Sequence, residues 1–416
     1  MVGSQETINR RIVVWPTNMI AIIPILFSLV SCSPQQDQEW VVSSDRKLQR
    51  MAQEVLEDVT KFSGLEILEQ IHLDYLTAEE ISEYVQSRIE NSLSESEEQH
   101  IVESYTLLGL FPMNLNLRQT LSTLYGEQVI GFYDPKDKAL YLQEEVPLKN
   151  LKSLLVHEMV HALQDQHFDL ESLAAPELSN DEQTAMMAAI EGHATLVMLE
   201  TLSEGSGNGS LNLKDVSEFG ESIANIFEST YEDGIGIDSV PLVLREGMFF
   251  PYIHGSQFVK KMRIRYGINS VPFGSRFPRS TAEILHYGEP SFDGDGPPVT
   301  IRIQPDSKWI KLYENTLGEL EVGVFLENLS GEKVVPEGWK GDRFALLEGV
   351  GGSKTLVWFS VWDTIEDRNL FSGIVKSHLE SLPEDIRLSS LNIDGIPGLR
   401  IDIGSEANAE ITLEKN

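Results

Sequence analysis

The chain has 416 residues, enough for two or three domains with a large buried core. Hydrophobic residues make up 41% and charged residues 23%, and these ordinary globular values exclude wholesale disorder, a collagen-like fibre and a multi-span membrane protein. The 32 Lys and Arg residues are outnumbered by 65 Asp and Glu residues, so the formal net charge is −33 and we expect no nucleic-acid partner. Cys32 is the single cysteine, which rules out an intrachain disulfide and leaves His, Asp and Glu as ligands for any transition-metal site.

Residues 1–32 predict an export signal. Arg10 and Arg11 precede Met19–Val30, an apolar run of 12 residues, whereas about 20 residues are needed to span a bilayer. Leu29–Cys32 resembles the lipobox of bacterial lipoproteins, in which cleavage precedes a lipid-modified cysteine. This resemblance implies an exported protein that begins at Cys32, faces outside the cytoplasm and is membrane-anchored through an N-terminal lipid. An uncleaved anchor, and a Cys32 that is simply a small buried side chain, remain as alternatives.

Residues 33–115 predict a helical N-terminal region that packs on the rest of the chain. Apolar side chains recur at steps of three and four residues from Leu48 to Phe62 and continue in the same way beyond it. We therefore expect helices from about Asp45 to Leu110, with a turn near Gly64 and a solvated face or loop over Ser92–Gln99.

Residues 116–292 carry the pattern of a catalytic core. Two β-rich runs, Val129–Tyr133 and Ala139–Leu142, flank an Asp/Pro turn and predict a hairpin. Asn150 is then expected to cap a helix whose apolar residues fall on one face.

That helix carries the sequence His-Glu-Met-Val-His at positions 157–161, the strongest chemical signal in the chain. Residues four apart lie on one face of a helix with Cβ atoms about 5–6 Å apart, so His157 and His161 can point at one metal ion. Two neutral imidazole nitrogens suit Zn²⁺. Glu158 borders such a site without competing for the metal, and there it can act as a general base on a metal-activated water.

The hairpin, the His-Glu-x-x-His helix and a later helix with a glutamate resemble the zincin metallopeptidases, and more narrowly the gluzincin type. The resemblance implies an α+β fold: a mainly helical zincin-like catalytic domain with a small sheet or hairpin. It also implies bound Zn²⁺ and a peptide or protein substrate.

A zinc site of this kind needs a third protein ligand, and two residues compete for that role. Ser179 and Glu182 fit a capping box that opens a helix to about Leu202, on which Glu191 lies among small and apolar residues. In gluzincins a glutamate on this helix is the third ligand. An Asp four residues after that glutamate often orients the first histidine, but here the position holds Thr195. Orientation must then come from elsewhere, such as His193 or a backbone carbonyl.

His167 is the alternative metal ligand, ten residues after His157, the spacing of the third histidine in metzincins. That arrangement needs a sharp turn midway, where this chain has Gln164, and glutamine does not favour the left-handed backbone of such a turn. If the helix continues instead, His167 lies about 9 Å along the axis from His161 and cannot share its metal. A buried polar pair of Glu191 with His193, without metal, is a further alternative.

Zincins commonly add a Tyr or His that stabilises the oxyanion. The candidates for this transition-state donor are Tyr252, His254, His286 and Tyr287. The first two precede a predicted helix over Gly255–Ile264. The sequence does not choose between them.

Residues 299–416, beyond a predicted boundary near Asp293–Pro298, predict a small C-terminal α+β module. Taken together, the patterns predict an extracytoplasmic, membrane-tethered zinc metallopeptidase. The competing interpretation is a non-catalytic surface-binding or assembly lipoprotein on a zincin scaffold.

Overall fold

The computed structural model describes residues 39–126, 129–144, 146, 148–173, 178–205, 240–288, 298–382 and 385–414. The predicted export signal, Cys32 and most of the predicted boundary at 293–298 lie outside the described residues. Eleven described segments are α-helical: α1 Arg46–Ser63, α2 Ala78–Ser92, α3 Glu95–Leu107, α4 Leu117–Gly126, α5 Leu148–Phe168, α6 Leu170–Leu173, α7 Asn180–Gly205, α8 Leu242–Tyr266, α9 Thr281–Leu285, α10 Gly318–Ser330 and α11 Ile365–Ser377. The described strands are β1 Val41–Ser43, β2 Ile71–Leu76, β3 Gly131–Asp134, β4 Ala139–Gln143, β5 Thr300–Pro305, β6 Trp309–Asn315, β7 Trp339–Gly349, β8 Lys354–Trp362, β9 Ile386–Ile393, β10 Ile396–Gly404 and β11 Ala409–Glu414. The expected mixed α+β class is confirmed.

A four-stranded sheet with the order β1-β2-β4-β3 lies beside the predicted catalytic helix. The predicted hairpin is present, because β3 and β4 pair antiparallel with Tyr133 opposite Leu140. Strands β1, β2 and β4 run parallel to one another. Among the described strands, β3 is therefore an edge of this sheet.

The prediction of an all-helical region between Asp45 and Leu110 is wrong at β2. Ile71 and Leu73 are buried while His72 and Asp74 are exposed, which is the two-residue alternation of a strand. The apolar residues before Ile71 continue the three-residue step of α1, so helix and strand periods overlap here. The partner strands decide between the two periods.

Local signals place several helix ends. Ser94 and Glu97 form a capping box, so Ser92–Gln99 holds the start of α3, and of the two predicted alternatives the solvated face is confirmed and the loop is wrong. Ser179 and Glu182 form the predicted box at the start of α7.

Two helices begin earlier than predicted. Asn150, the predicted cap, lies inside α5, which begins at Leu148. The helix predicted over Gly255–Ile264 begins 13 residues earlier, at Leu242, and includes Pro251.

Helix α5 is held between the sheet and two other helices by one apolar cluster. Leu140 and Leu142 of β4, Leu155 and Met159 of α5, and Val59 of α1 are all buried in it. Helix α7 adds side chains to the same cluster and crosses α8 at Gly192 and Gly255, where a Cβ atom on either glycine would overlap the backbone of the other helix. The site helices are thus fixed by close packing on several sides.

The C-terminal region is a five-stranded antiparallel sheet with the order β6-β7-β8-β10-β9. Phe325 of α10 and Phe371 of α11 pack on Trp358 on one side of it, and the β5–β11 ribbon contributes Ile301 and Ile303 to a second cluster.

Residues 39–416 form one compact unit. Its largest apolar cluster combines Tyr105, Val243 and Ala282 with residues of the C-terminal sheet and its helices. The predicted regions 33–115, 116–292 and 299–416 therefore share core residues, and we expect the unit to fold without residues 1–38. Among the described residues, no helix has both the length and the hydropathy needed to cross a membrane.

Three buried carboxyl groups hold the junction between α7, α9, α10 and β7. Asp181 accepts hydrogen bonds from the backbone and hydroxyl of Thr281 (2.8 and 2.6 Å). Glu321 accepts from the Tyr105 hydroxyl (2.6 Å), and Asp342 accepts from the backbone amides that start α10. Burial raises the pKa of Asp181 to about 7, of Glu321 to about 8 and of Asp342 to about 6.

These raised pKa values predict a pH-dependent stability. Between the ordinary carboxyl pKa of about 4 and the raised values, the folded chain binds more protons than the unfolded chain. The free energy of unfolding therefore falls as the pH rises from about 4 towards 8. We expect a lower urea midpoint at pH 8 than at pH 5.5, and a smaller difference in Glu321→Gln, which cannot titrate. An equal difference in both proteins would contradict the assignment to Glu321.

Candidate metal centre

Helix α5 presents His157 and His161 on one face, one turn apart. Their Nε2 atoms lie 3.1 Å from each other, and the ring centroids are 4.8 Å apart with the planes nearly perpendicular. The i, i+4 spacing therefore brings both ring nitrogens to the same point.

Glu191 reaches that point from α7. Its Oε2 atom lies 3.1 Å from Nε2 of His157 and 3.4 Å from Nε2 of His161. The capping box at Ser179 sets the start of α7, and the crossing of α7 with α8 holds the helix in place. The structure brings together the three residues that the sequence singled out as metal ligands, and this group could hold a metal ion.

The spacing of the three ligand atoms matches a tetrahedral zinc site. With metal–ligand distances of 2.0–2.1 Å, ligand atoms at two corners of a tetrahedron lie about 3.3 Å apart. The observed separations of 3.1, 3.1 and 3.4 Å thus outline one face of such a tetrahedron. Two imidazoles and one carboxylate leave the fourth corner for water or substrate, as in catalytic zinc sites. The residues fit the ion.

The electrostatics of the group favour a cation. Burial opposes a charge on His161, but the Glu191 carboxylate outweighs it and raises the pKa of His161 to about 9. Burial likewise opposes ionisation of Glu191, but His161 and His157 outweigh it and hold the pKa of Glu191 far below its usual range. The carboxylate is therefore ionised in a site where positive charge is stabilised.

Glu158, on α5, lies beside this group and is buried on the side of the hairpin. The backbone amide of Tyr133 on the edge strand β3 faces its carboxylate and lowers its pKa. Burial raises the pKa of Glu158, and the neighbouring His157 and His161 partly offset the shift. A carboxyl group with a raised pKa next to a metal site is suited to take and give a proton.

A directional hydrogen-bond chain sets the tautomer of His161. Gln164 Nε2 donates to the carbonyl oxygen of Ile190 (3.0 Å), which fixes the orientation of the amide, so its Oε1 accepts from Nδ1–H of His161 (2.9 Å). Nδ1 of His161 therefore carries a proton, and Nε2 is the nitrogen that faces Glu191 and would bind a metal ion once its own proton is lost.

The chain continues through His193. Gln164 Nε2 also donates to Nδ1 of His193 (3.0 Å). The other ring nitrogen of His193, Nε2, donates to the carbonyl oxygen of Ser63 at the end of α1 (3.0 Å). Burial and the nearby Arg263 keep the pKa of His193 well below its usual range, so the ring is neutral, as both hydrogen bonds require. Glu191 pairs with the motif histidines, whereas His193 contacts Gln164 and Ser63, so the alternative of a Glu191–His193 pair is wrong.

We expect Gln164→Leu to weaken zinc binding about 10–100-fold, the usual effect of removing a hydrogen bond that orients a metal ligand. The matched control is Gln166→Leu on the same helix, which removes hydrogen bonds to the backbone of Leu68 and Glu69 but none to a histidine. Competition with a chelator measures the affinity, and urea unfolding measures the stability. Equal zinc affinities in the two variants would show that Gln164 has only a structural role.

His167 is not part of the group. Helix α5 continues through Gln164 to Phe168, and His167 Nε2 lies 2.7 Å from the carbonyl oxygen of Glu66. The expectation that the helix runs on past Gln164 is confirmed.

The candidate transition-state donors lie in different places. The centre of the Tyr252 ring is 6.3 Å from the centre of the His157 ring. His254 instead stacks on Phe250, and burial lowers the pKa of His254 to about 4. His286 Nε2 lies 2.7 Å from Oε1 of Glu319 on α10, and Tyr287 packs against Phe258. Of these four, Tyr252 is the residue beside the motif histidines.

Two residues near the centre were not predicted. Gln164 entered the sequence prediction only as a turn position, although its place three residues after His161 on the same helix is a local signal. Tyr125 at the end of α4 was missed entirely. The Tyr125 side chain is 39% exposed, but desolvation and the Glu191 carboxylate both raise the pKa of its phenol, which indicates that the phenol lies towards the candidate ligands.

Comparisons of the chain with protein-family models, with curated proteins and with solved structures returned no match. The arguments about function therefore depend on the residues and their geometry.

Proposed function

We propose that this protein is a zinc metallopeptidase of the gluzincin type, exported and anchored to a membrane through a lipid on Cys32. The observation that carries the enzymatic proposal is the set of three ligand atoms at tetrahedral spacing with Glu158 directly beside them. A structural metal site has no need of an adjacent general base.

In this proposal His157, His161 and Glu191 hold Zn²⁺, which supplies a Lewis acid for the scissile carbonyl and the attacking water. Glu158 takes a proton from that water as the oxygen of the water bonds to the carbonyl carbon. Glu158 then gives the proton to the amine nitrogen as the carbon–nitrogen bond breaks. Tyr252 is the best placed of the predicted donors to stabilise the oxyanion.

The substrate in this proposal is a peptide in extended form. Strand β3 is an edge of its sheet among the described strands, and its Tyr133 amide contacts the general base. A peptide that pairs with this edge would pass along the metal centre.

Metal analysis tests the proposal. We expect purified residues 39–416 to bind one zinc ion per chain, and His157→Ala or Glu191→Ala to remove most of it, because two protein ligands with water bind zinc weakly. The control is His167→Ala, which should keep the zinc and cost only the contact with Glu66. Zinc measured by mass spectrometry after dialysis decides the outcome. Loss of zinc in His167→Ala with retention in Glu191→Ala would overturn the ligand set.

The second candidate function is a non-catalytic binding or assembly lipoprotein. A digest of a peptide library separates the two: cleavage that stops with a chelator supports the peptidase, whereas a zinc-loaded chain without cleavage of any peptide favours the binding protein.

A further inference from the structure

A large groove lies where the start of α7 meets the C-terminal region. It has a volume of about 1030 Å³ and is lined by residues 300–304 of β5, part of β6, the end of α2 and the first two turns of α7. We call it the β5 groove. Ligand pockets in proteins usually measure about 300–1,000 Å³, so the groove has room for a substantial ligand.

One edge of β5 faces this groove. Five consecutive residues of β5 line the groove and no residue of β11 does, so the groove lies on the edge opposite β11. The hydrogen bonds give the same direction. The N–H of Asp306 donates to Asn408 on the β11 side (3.0 Å), so the main-chain groups of the odd-numbered residues point the other way. Accordingly, Val299 N–H donates to β7 (2.7 Å) and the Ile303 carbonyl accepts from Lys311 Nζ of β6 (3.2 Å).

The main-chain groups of Ile301 and Ile303 therefore lie along the groove edge of β5. Their side chains are buried against the C-terminal sheet, while those of Thr300, Arg302 and Gln304 are exposed. No described strand pairs with this edge. An unpaired strand edge is a template for a further strand, and this one lies along a groove.

The charged groups of the groove already have partners. Arg302 forms an ion pair with Glu414 (2.5 Å), and Lys311 and Arg343 both lie beside Glu314 (2.9 and 3.5 Å). The other two glutamates that line the groove belong to the capping boxes of α3 and α7. Five more lining residues are Asn or Gln. Paired charges and many amides suit the N–H and C=O groups of a polypeptide better than they suit an ion.

The groove and the candidate metal centre lie on the same helix. Gln183 lines the groove, and Glu191 is eight residues further along α7, a rise of about 12 Å. An extended chain covers that distance with about four residues. Helix α2 gives a second connection, because its Tyr84 stacks on Phe132 of the edge strand β3 (4.1 Å between ring centroids) and its last turn lines the groove. A single peptide of moderate length is therefore long enough to occupy both places.

We propose that the β5 groove binds an extended segment of the substrate polypeptide, which adds a strand to β5 while the scissile bond lies at the metal centre. This inference rests on the peptidase function proposed above and names its substrate class. The substrates are flexible protein segments of about 12 residues or more, rather than short peptides. Main-chain hydrogen bonds to Ile301 and Ile303 supply affinity with little demand on sequence.

Binding is measured first with the metal removed, so that it does not depend on hydrolysis. The probe is a fluorescein-labelled pool of random peptides without net charge, about 14 residues long. Fluorescence anisotropy in the presence of a chelator reports their binding to residues 39–416. We expect saturable binding by wild type.

Two variants remove the groove in different ways. Ile301→Pro deletes a main-chain N–H at an unpaired edge, where proline is tolerated, and should weaken binding about tenfold, the effect of losing one or two hydrogen bonds. Ile301→Ala loses the same buried side chain but keeps the N–H, so the difference between these two variants isolates the main-chain contact. Gln183→Trp fills the groove from α7 and should weaken binding to a similar extent, whereas Gln53→Trp, at an exposed position of α1, should not. Urea unfolding verifies that each variant is folded.

Hydrolysis by the zinc-loaded protein gives a second readout. Peptides of about 6 residues are too short to span the metal centre and the groove, so wild type should show a lower KM for the long pool than for a short one. We expect Ile301→Pro and Gln183→Trp to lose this dependence on length. Gln53→Trp should retain it.

The outcomes separate the groove from the peptidase. Equal binding by Ile301→Pro and Ile301→Ala, with wild-type binding by Gln183→Trp, would overturn the groove proposal, and so would a KM that does not depend on length. Binding that the variants lose as expected, in a chain that cleaves no peptide, would support the groove and overturn the peptidase. Self-association that Ile301→Pro abolishes, without peptide binding by wild type, would assign the edge to a second copy of the chain and overturn the proposal.

Discussion

Glu158→Gln is expected to lower peptide hydrolysis about 10²–10⁴-fold, the usual contribution of a general base, while zinc binding stays near wild type. Glutamine keeps the shape of the side chain and leaves an oxygen that can face the Tyr133 amide. It cannot take a proton from water. The variant therefore separates the chemistry of the site from its assembly.

The measurement compares initial rates on a cleavable peptide with the zinc content of the same preparation. Glu171→Gln, which changes an exposed glutamate on α6, is the matched control and should retain full activity. If Glu158→Gln loses zinc together with activity, the residue supports the metal site. If it keeps wild-type activity, another group is the base.

Gly255→Ala is expected to disrupt the site from a distance. Helices α7 and α8 approach so closely at this glycine that an added methyl group would overlap the backbone of Ala188. Backbone atoms cannot move aside as a flexible side chain can, so the two helices must separate. Overpacking of this kind costs about 1–3 kcal/mol in the free energy of unfolding. We also expect weaker zinc binding, because Glu191 lies on α7 next to the crossing and Tyr252 lies one turn from it on α8.

Gly247→Ala provides the matched control on the same helix. A methyl group there meets no atom within 4 Å, so the higher helix propensity of alanine should leave the protein as stable or raise its stability by up to about 1 kcal/mol. Urea unfolding and chelator competition measure both effects. A Gly255→Ala protein with wild-type stability and zinc affinity would show that the crossing relaxes without consequence for the site.

Much of the candidate metal centre was predictable from the sequence because its parts are local. The pairing of His157 with His161 follows from the helical repeat, and Glu158 follows from its position between them. The Ser179–Glu182 capping box is also local, since its hydrogen bonds join residues three apart. The continuation of α5 past Gln164 follows from the conformational preference of one residue.

Only the tertiary structure decided the rest, because those features depend on contacts between segments far apart in the chain. The sequence predicted Glu191 as the third ligand with His167 as the alternative, and the packing of α7 against α5 and α8 is what brings Glu191 to the histidines. The strand β2 escaped prediction because its partners β1 and β4, rather than its own periodicity, determine its conformation. Tyr252 and His254 are two residues apart, so the orientation of α8, set by its contact with α7 at Gly192, determines which of them faces the site. Local hydrogen bonds and side-chain spacing determined which residues could act together, and close packing of distant helices determined which of them do.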